Sequence, residues 1–248
     1  MDVYPVLFRI GAFEVTSFGV LVAIGALAGL WLFKRELDRR GLPASAADAA
    51  VIGLIGGLVG AKLLYVAENA GDASIASLLF ARGGLSWYGG LIGGVGSGLV
   101  AILRGRWPVL PILSAATPAL ALGHFFGRIG CFLVGDDYGR PTDLPWGVAF
   151  PEGLPPTDVP VHPTQLYEAA FLASLTWVLI RWRRQGMADA AVLGRYLVLA
   201  AGARFLIEFL RINTRVLGPL TVAHVVSLLL MLLGVALLVR APGIQRRH

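Results

Sequence analysis

Seven apolar runs decide which solvent this chain must fold in. They cover roughly residues 15–33, 49–67, 88–103, 110–127, 166–182, 191–210 and 220–239. A helix needs about 20 residues to cross a hydrocarbon core about 30 Å thick, and a segment within lipid must satisfy its own backbone groups. The expected architecture is therefore all-α: a polytopic membrane protein of about seven transmembrane helices. The 248 residues are 56% hydrophobic and only 15% charged, where a soluble domain carries about a quarter charged residues. The 32 glycines fall largely inside the apolar runs, as suits helices whose backbones approach closely in a membrane. The third run is short and Gly-rich, and the fourth contains Pro111 and Pro118, tolerable where neighbours re-satisfy the freed groups. No composition break reads as a domain boundary, so a single integral-membrane domain over 1–248 is expected. Met1 to Glu14 holds acidic residues and a proline rather than a basic tip and a short apolar core. The first run is thus expected to serve as its own insertion signal.

The formal charge of +6 invites a nucleic-acid reading, but the charges are distributed by topology. "KRELDRR" (Lys34–Arg40), "RGR" (Arg104–Arg106), "RWRR" (Arg181–Arg184), Arg195, Arg240, Arg246 and Arg247 all fall on one side if the runs alternate. That side takes most of the 21 basic residues and few of the 15 acidic ones. Cytoplasmic loops are enriched in Lys and Arg. The N-terminus is expected outside and the C-terminus in the cytoplasm, with no nucleic-acid partner. The longest loop, about 132–165, then lies on the outer, periplasmic face and is expected to be irregular.

Ionisable side chains within a span are costly and are functional candidates by default. Lys62, Arg128, Arg204 and Arg211 qualify, with Glu168 and Glu208 for company. "ARFLIEFLR" spaces Arg204, Glu208 and Arg211 at i, i+4 and i+7, on one helix face. Arg128 stands at the head of "GRIGCFLVGDDYGRPTDLPWGVAFP" (Gly127–Pro151) at a similar depth. Counted this way, the arginines outnumber the carboxylates, and an anion is expected to complete the site. Arginine holds phosphate through a planar fork, and the abundant anion at that depth is a phospholipid headgroup. The competing reading has Glu208 neutralise one arginine while the others snorkel to the interface.

Three further stretches carry polar residues. In "GGLSWYGGLIGG" (Gly83–Gly94) the glycines, Gly89 among them, suit close approach of a helix or of a ligand; Trp87 and Tyr88 suit an interfacial anchor or a pocket wall. "HPTQLYEA" (His162–Ala169) puts Pro163 in a first helical turn with Thr164 or His162 as cap. Its cluster of His162, Gln165, Tyr167 and Glu168 could cap or could line a site. His124 and His224 stand alone in apolar runs, as hydrogen-bonded packing residues do. Asp136 and Asp137 match no calcium or zinc pattern, and no metal or cofactor is expected. Cys131, the single cysteine, permits no internal disulfide and reads as a buried thiol rather than a nucleophile.

These blocks, with the opening "FRIGAFEVTSFGVLVAIG", resemble in order and spacing those of the prolipoprotein diacylglyceryl transferase family. The resemblance covers nearly the whole chain. It implies a seven-span inner-membrane enzyme that moves the diacylglyceryl group of phosphatidylglycerol onto the lipobox cysteine beside a preprolipoprotein signal peptide. It also implies that Arg128 and Arg204 are catalytic and bind the lipid phosphate, with Arg211, Gly139, Gly89, His162, Gln165 and Cys131 near the substrate. The sequence departs from the family pattern at several points. Tyr88 stands for a histidine often proposed as base, Cys131 and Val134 for asparagines, Asp136 for a glutamate, Phe18 for a tyrosine and His224 for a glutamine. Tyr88 could orient substrate by hydrogen bonding, and Asp136, His162 or water could take the thiol proton. The departures leave open a catalytically altered paralogue that binds phospholipid or signal-peptide helices.

Overall fold

The computed structural model describes residues 5–11, 13–81 and 84–241; Gly83, Arg246 and Arg247 lie outside them. The chain begins with a hairpin of β1 (Val6–Ile10) and β2 (Phe13–Thr16), followed by α1 (Ser17–Arg39). There follow α2 (Asp48–Glu68), the short α3 (Ile75–Phe80), α4 (Trp87–Arg104) and α5 (Val109–Val134). A long loop contains β3 (Val148–Phe150) and β4 (Thr157–Val161). Then come α6 (Thr164–Arg184), α7 (Asp189–Glu208), β5 (Arg215–Leu217), β6 (Leu220–Thr221) and α8 (Val222–Arg240).

Each expected apolar run forms a helix. Among the described residues, five helical segments are long and apolar enough to cross a membrane: Ser17–Arg39, Ala44–Glu68, Val109–Val134, Asp189–Glu208 and Val222–Arg240. The glycines of α4 dilute its hydropathy, and α6 carries Arg181, Arg183 and Arg184 in its last turn. Leu27, Leu58, Ile92, Leu206 and Leu232 stand exposed on α1, α2, α4, α7 and α8. Outward-facing leucine and isoleucine side chains at these positions suit lipid rather than water as the neighbour.

The chain divides into two compact units, Met1–Leu32 with Ser114–His248, and Phe33–Leu113. In the first, Ala121 of α5 meets Leu172, Leu175 and Leu179 of α6 and Val192 of α7 in a buried core. Helices α7 and α8 cross at Gly194 and Gly234, where a Cβ on either would come within 2.8 Å of the other's carbonyl oxygen. Pro118 within α5 can give no N–H to the carbonyl of Ser114. The Thr117 hydroxyl donates to that oxygen instead, at 2.9 Å. Arg183, counted with the cytoplasmic charges in sequence, is buried and donates to Ser114 Oγ at 2.7 Å.

The second unit is dominated by α2 against α4. Gly53, Gly56, Gly57 and Gly60 face Gly89, Gly90, Gly93 and Gly94, and a Cβ on Gly60 would lie 2.4 Å from Gly89 O. Lys62, a candidate by its position in a span, donates to Ala81 O at 2.7 Å and ties α2 to the segment after α3.

The loop after α5 is not the irregular segment expected. Strands β3 and β4 pair antiparallel. Tyr138, Phe150 and Val161 form a small buried cluster backed by Phe132 and Val148. Both strands are short and Pro160 interrupts β4, so the hairpin is faint in sequence; within the cluster the Tyr138 and Phe150 rings stack.

Candidate functional site

Helix α5 carries Arg128 two turns before its end, α6 carries Glu168 one turn after its start, and α7 closes on Arg204 and Glu208. Arg211 follows α7 directly, and Asp137 stands at the entry to the loop. These six side chains form a closed ring of alternating charge. Arg128 pairs with Glu168 through Nε and with Asp137 through Nη1, the latter at 2.8 Å. Glu168 Oε1 accepts from Arg204 Nη1 at 3.2 Å, and Arg204 Nη2 meets Glu208 Oε2 at 2.8 Å. Glu208 Oε2 lies 3.7 Å from Arg211 Nε, and Arg211 Nη2 pairs with Asp137 Oδ1.

The ring corrects the charge count made from sequence. Three carboxylates face three arginines, because Asp137 joins Glu168 and Glu208. Nor does Arg211 snorkel: its side chain is buried and turned back to Glu208 and Asp137. Paired charges away from water must compensate one another closely, since one left alone costs several kcal/mol. Burial pushes the Asp137 carboxyl up, but Arg211 and then Arg128 outweigh it and hold the group below the ordinary carboxylate range. For Asp136, burial prevails and its carboxyl is raised.

Glu208 is fixed from behind. Its Oε1 accepts from Thr221 Oγ1 at 2.6 Å and from Asn213 Nδ2 at 2.9 Å. Thr221 caps α8 in a reciprocal pair with His224: Thr221 N–H donates to His224 Nδ1 at 3.1 Å, and the Thr221 hydroxyl accepts from His224 N–H. Glutamine is a usual partner in such a capping box. His224, where the family pattern has glutamine, makes the same reciprocal bond through Nδ1.

Asp137 is delivered to the ring by backbone clamps. Gly139 N–H donates to His162 O at 2.9 Å and Arg140 N–H to Leu210 O at 2.7 Å. A Cβ on Gly139 would lie 2.7 Å from Leu210 O, 2.8 Å from His162 Cβ and 2.9 Å from Thr164 Cγ2, so only glycine fits between the two segments. The Thr164 hydroxyl donates to Asp137 O at 2.9 Å, and Gln165 Nε2 donates to Asp136 O.

The other site candidates distribute as follows. Arg128, Arg204 and Arg211 come together; Gly139, His162 and Gln165 shape the loop that meets them. Pro163 precedes α6 as its N-cap residue, and neither Thr164 nor His162 caps the helix by its side chain; Thr164 is spent on Asp137. His162 Nδ1 lies 3.4 Å from the Tyr167 hydroxyl, which accepts from Trp146 Nε1 at 2.7 Å. Cys131 lies half-buried on α5 as a free thiol. Asp136 is outside the ring, with Oδ1 unbonded. Tyr88 and Gly89 belong to the other unit, at the first turn of α4. Gly89 serves helix approach there, with Gly60 O against the place of its Cβ, while the Tyr88 ring meets Trp87 edge-on.

The family model described as prolipoprotein diacylglyceryl transferase matches residues 5–240. The chain belongs to that family. A phosphatidylglycerol--prolipoprotein diacylglyceryl transferase of Clostridium tetani is 33% identical over 236 residues, covering 93% of this chain and 95% of that protein. The protein of the same name in Geobacter sulfurreducens is 33% identical over 248 residues, 95% of this chain and 94% of its own. The Vibrio cholerae protein is 29% identical over 254 residues, 96% and 91% of the two chains. Sequence reasoning missed Asp137, which it weighed only as a metal ligand. His124, read from sequence as a hydrogen-bonded packing residue, has Nε2 accepting from Arg128 Nε at 3.3 Å. The i, i+4 spacing of His124 and Arg128 was the available signal.

Proposed function

We propose that this chain transfers the diacylglyceryl group of phosphatidylglycerol to the lipobox cysteine thiol of preprolipoproteins. The observation that carries this reading is the ring of Arg128, Arg204 and Arg211 in a chain whose relatives bear that activity in their names. In the reaction the cysteine sulfur attacks the glyceryl carbon that bears the phosphate ester oxygen. The carbon–oxygen bond breaks, its electron pair leaves with glycerol phosphate, and a thioether remains. Negative charge accumulates on the departing phosphate, and preorganised guanidinium groups in a water-poor site are suited to hold it. Arg128 and Arg204 serve as the phosphate clamp, with Arg211 supporting it. The thiol proton passes to an acceptor near the site; Asp136, with its raised carboxyl and an unbonded Oδ1, fits that role.

The same reading extends to the setting. Residues 1–248 act as one integral-membrane transferase domain in the bacterial inner membrane, with all seven long helices crossing. The N-terminus lies outside, the basic loops and C-terminus in the cytoplasm, and the β3–β4 loop in the periplasm, where it receives the signal-peptide substrate.

The test is a transfer assay with purified protein, phosphatidylglycerol and a lipobox peptide, followed by peptide mass. The intact chain should add a diacylglyceryl mass, and Arg128→Ala and Arg204→Ala should not. Full transfer by either variant would remove the phosphate-clamp assignment.

A further inference from the structure

The three ring carboxylates differ in access. The Glu168 side chain is 5% exposed and that of Glu208 0%, while Asp137 is 44% exposed. Asp137 nevertheless makes a two-point bridge, Oδ2 to Arg128 Nη1 and Oδ1 to Arg211 Nη2. A phosphate presents two anionic oxygens to paired guanidinium groups in the same manner. Behind the bridge, the buried Arg211 keeps Nη1 without a hydrogen-bond acceptor. A planar carboxylate with both oxygens engaged has none to spare for it; a tetrahedral phosphate brings a third.

The main chain at Asp137 is held independently of its carboxylate. Thr164 and Gln165 grip the carbonyls of Asp137 and Asp136, and Gly139 is pinned between His162 and Leu210. Asp137 has φ 59°, in the left-handed region where aspartate and asparagine are several-fold enriched among non-glycine residues. Its side chain can therefore leave the ring by rotation while the backbone stays.

We infer that Asp137 is an exchangeable counter-ion that occupies, between Arg128 and Arg211, part of the phosphate site lined by the three arginines, until a phosphate-bearing ligand displaces it. This rests on the ring being the phosphate site of the transfer reaction. The ligand chemistry is a phosphodiester or phosphomonoester anion, arriving either as a lipid headgroup or as free glycerol phosphate. Asp137 keeps the arginines charge-matched when the site is empty, and competes with the phosphate when it is full. It thereby weakens binding of substrate and product alike, and its return to the arginines expels the product. No counterpart role attaches to the buried Glu168 and Glu208, which stay in place and orient the guanidinium groups.

The experiment compares the purified full chain with Asp137→Asn, Asp137→Gly and Arg128→Ala. Phosphatidylglycerol in nanodiscs and soluble glycerol 1-phosphate are titrated separately, with binding read by calorimetry and ligand-induced thermal shift. Asparagine keeps the shape without the charge, and glycine adopts the positive φ freely, so at least one neutral variant should fold. Both neutral variants should bind phosphate at least about tenfold tighter, because two charge-assisted hydrogen bonds no longer compete with the ligand. Product release, followed by glycerol 1-phosphate dissociation, should slow in step. Tightening for the lipid alone would assign the displacing anion to the headgroup, and tightening for both would include the free product. Unchanged or weaker binding in both neutral variants, with binding abolished in Arg128→Ala, would overturn the counter-ion role and leave the phosphate site standing. Wild-type binding by Arg128→Ala would remove the phosphate site and this inference together.

Discussion

Thr221 gives its hydroxyl proton to Glu208 Oε1 at 2.6 Å while capping α8. One side chain thus joins the start of the last helix to the carboxylate that aligns Arg204 and Arg211. Replacing it with the similarly shaped valine leaves part of a buried carboxylate unsatisfied, a loss of about 1–3 kcal/mol. Thr221→Val should lower the thermal unfolding midpoint and reduce transfer, and Thr221→Ser should restore most of both. An equally stable and active valine variant would show that Asn213 alone holds Glu208.

Glu168 lies between Arg128 and Arg204. Removing its charge leaves three guanidinium groups sharing two carboxylates in a water-poor ring, and breaking a buried pair costs about 3–5 kcal/mol. Glu168→Gln should therefore be strongly destabilised in detergent. Arg9→Ala removes the exposed pair with Glu14, and exposed pairs are worth about 0–1 kcal/mol. Similar unfolding midpoints for the two variants would contradict the ring as a stabilising unit.

The Asp137 carboxyl is held below its ordinary range by Arg211 and Arg128 against the opposing effect of burial. A depressed folded-state pKa contributes stability above the unfolded value, about 3.9, and loses it as pH falls through the folded value. The wild type should be more stable than Asp137→Asn at pH 7, and the gap should close only as the pH falls below about 4. Thermal unfolding of ligand-free protein across that range measures it; a gap that closes near neutrality would mean that the arginines do not govern this group.

The approach of α2 to α4 sets a contrast between two glycines. A Cβ on Gly60 would stand 2.4 Å from Gly89 O, while one on Gly96 would meet nothing within 4 Å. Gly60→Ala forces the backbones apart and should cost about 1–3 kcal/mol, as overpacking does. Gly96→Ala should be neutral or stabilise by up to about 1 kcal/mol, since alanine is the better helix former. Comparing their unfolding midpoints with wild type checks the packing directly.

Helix positions were legible because lipid demands runs of about 20 apolar residues, and such runs show in one dimension. Arg204, Glu208 and Arg211 were equally legible, since i, i+4 and i+7 share a helix face. The family blocks pointed to Arg128 as well. The sequence by itself thus determined the helices, the family and the cationic half of the site. Tertiary structure alone decided how those cations are balanced. Asp137 and Arg211 are 74 positions apart, and no periodicity relates a loop residue to a helix end at that separation. They meet because Gly139 admits the Leu210 carbonyl and Thr164 holds the Asp137 carbonyl. Charge pairing depends on distances of a few ångströms, set by where the loop backbone is clamped, and those clamps are made by main-chain groups that every sequence contains.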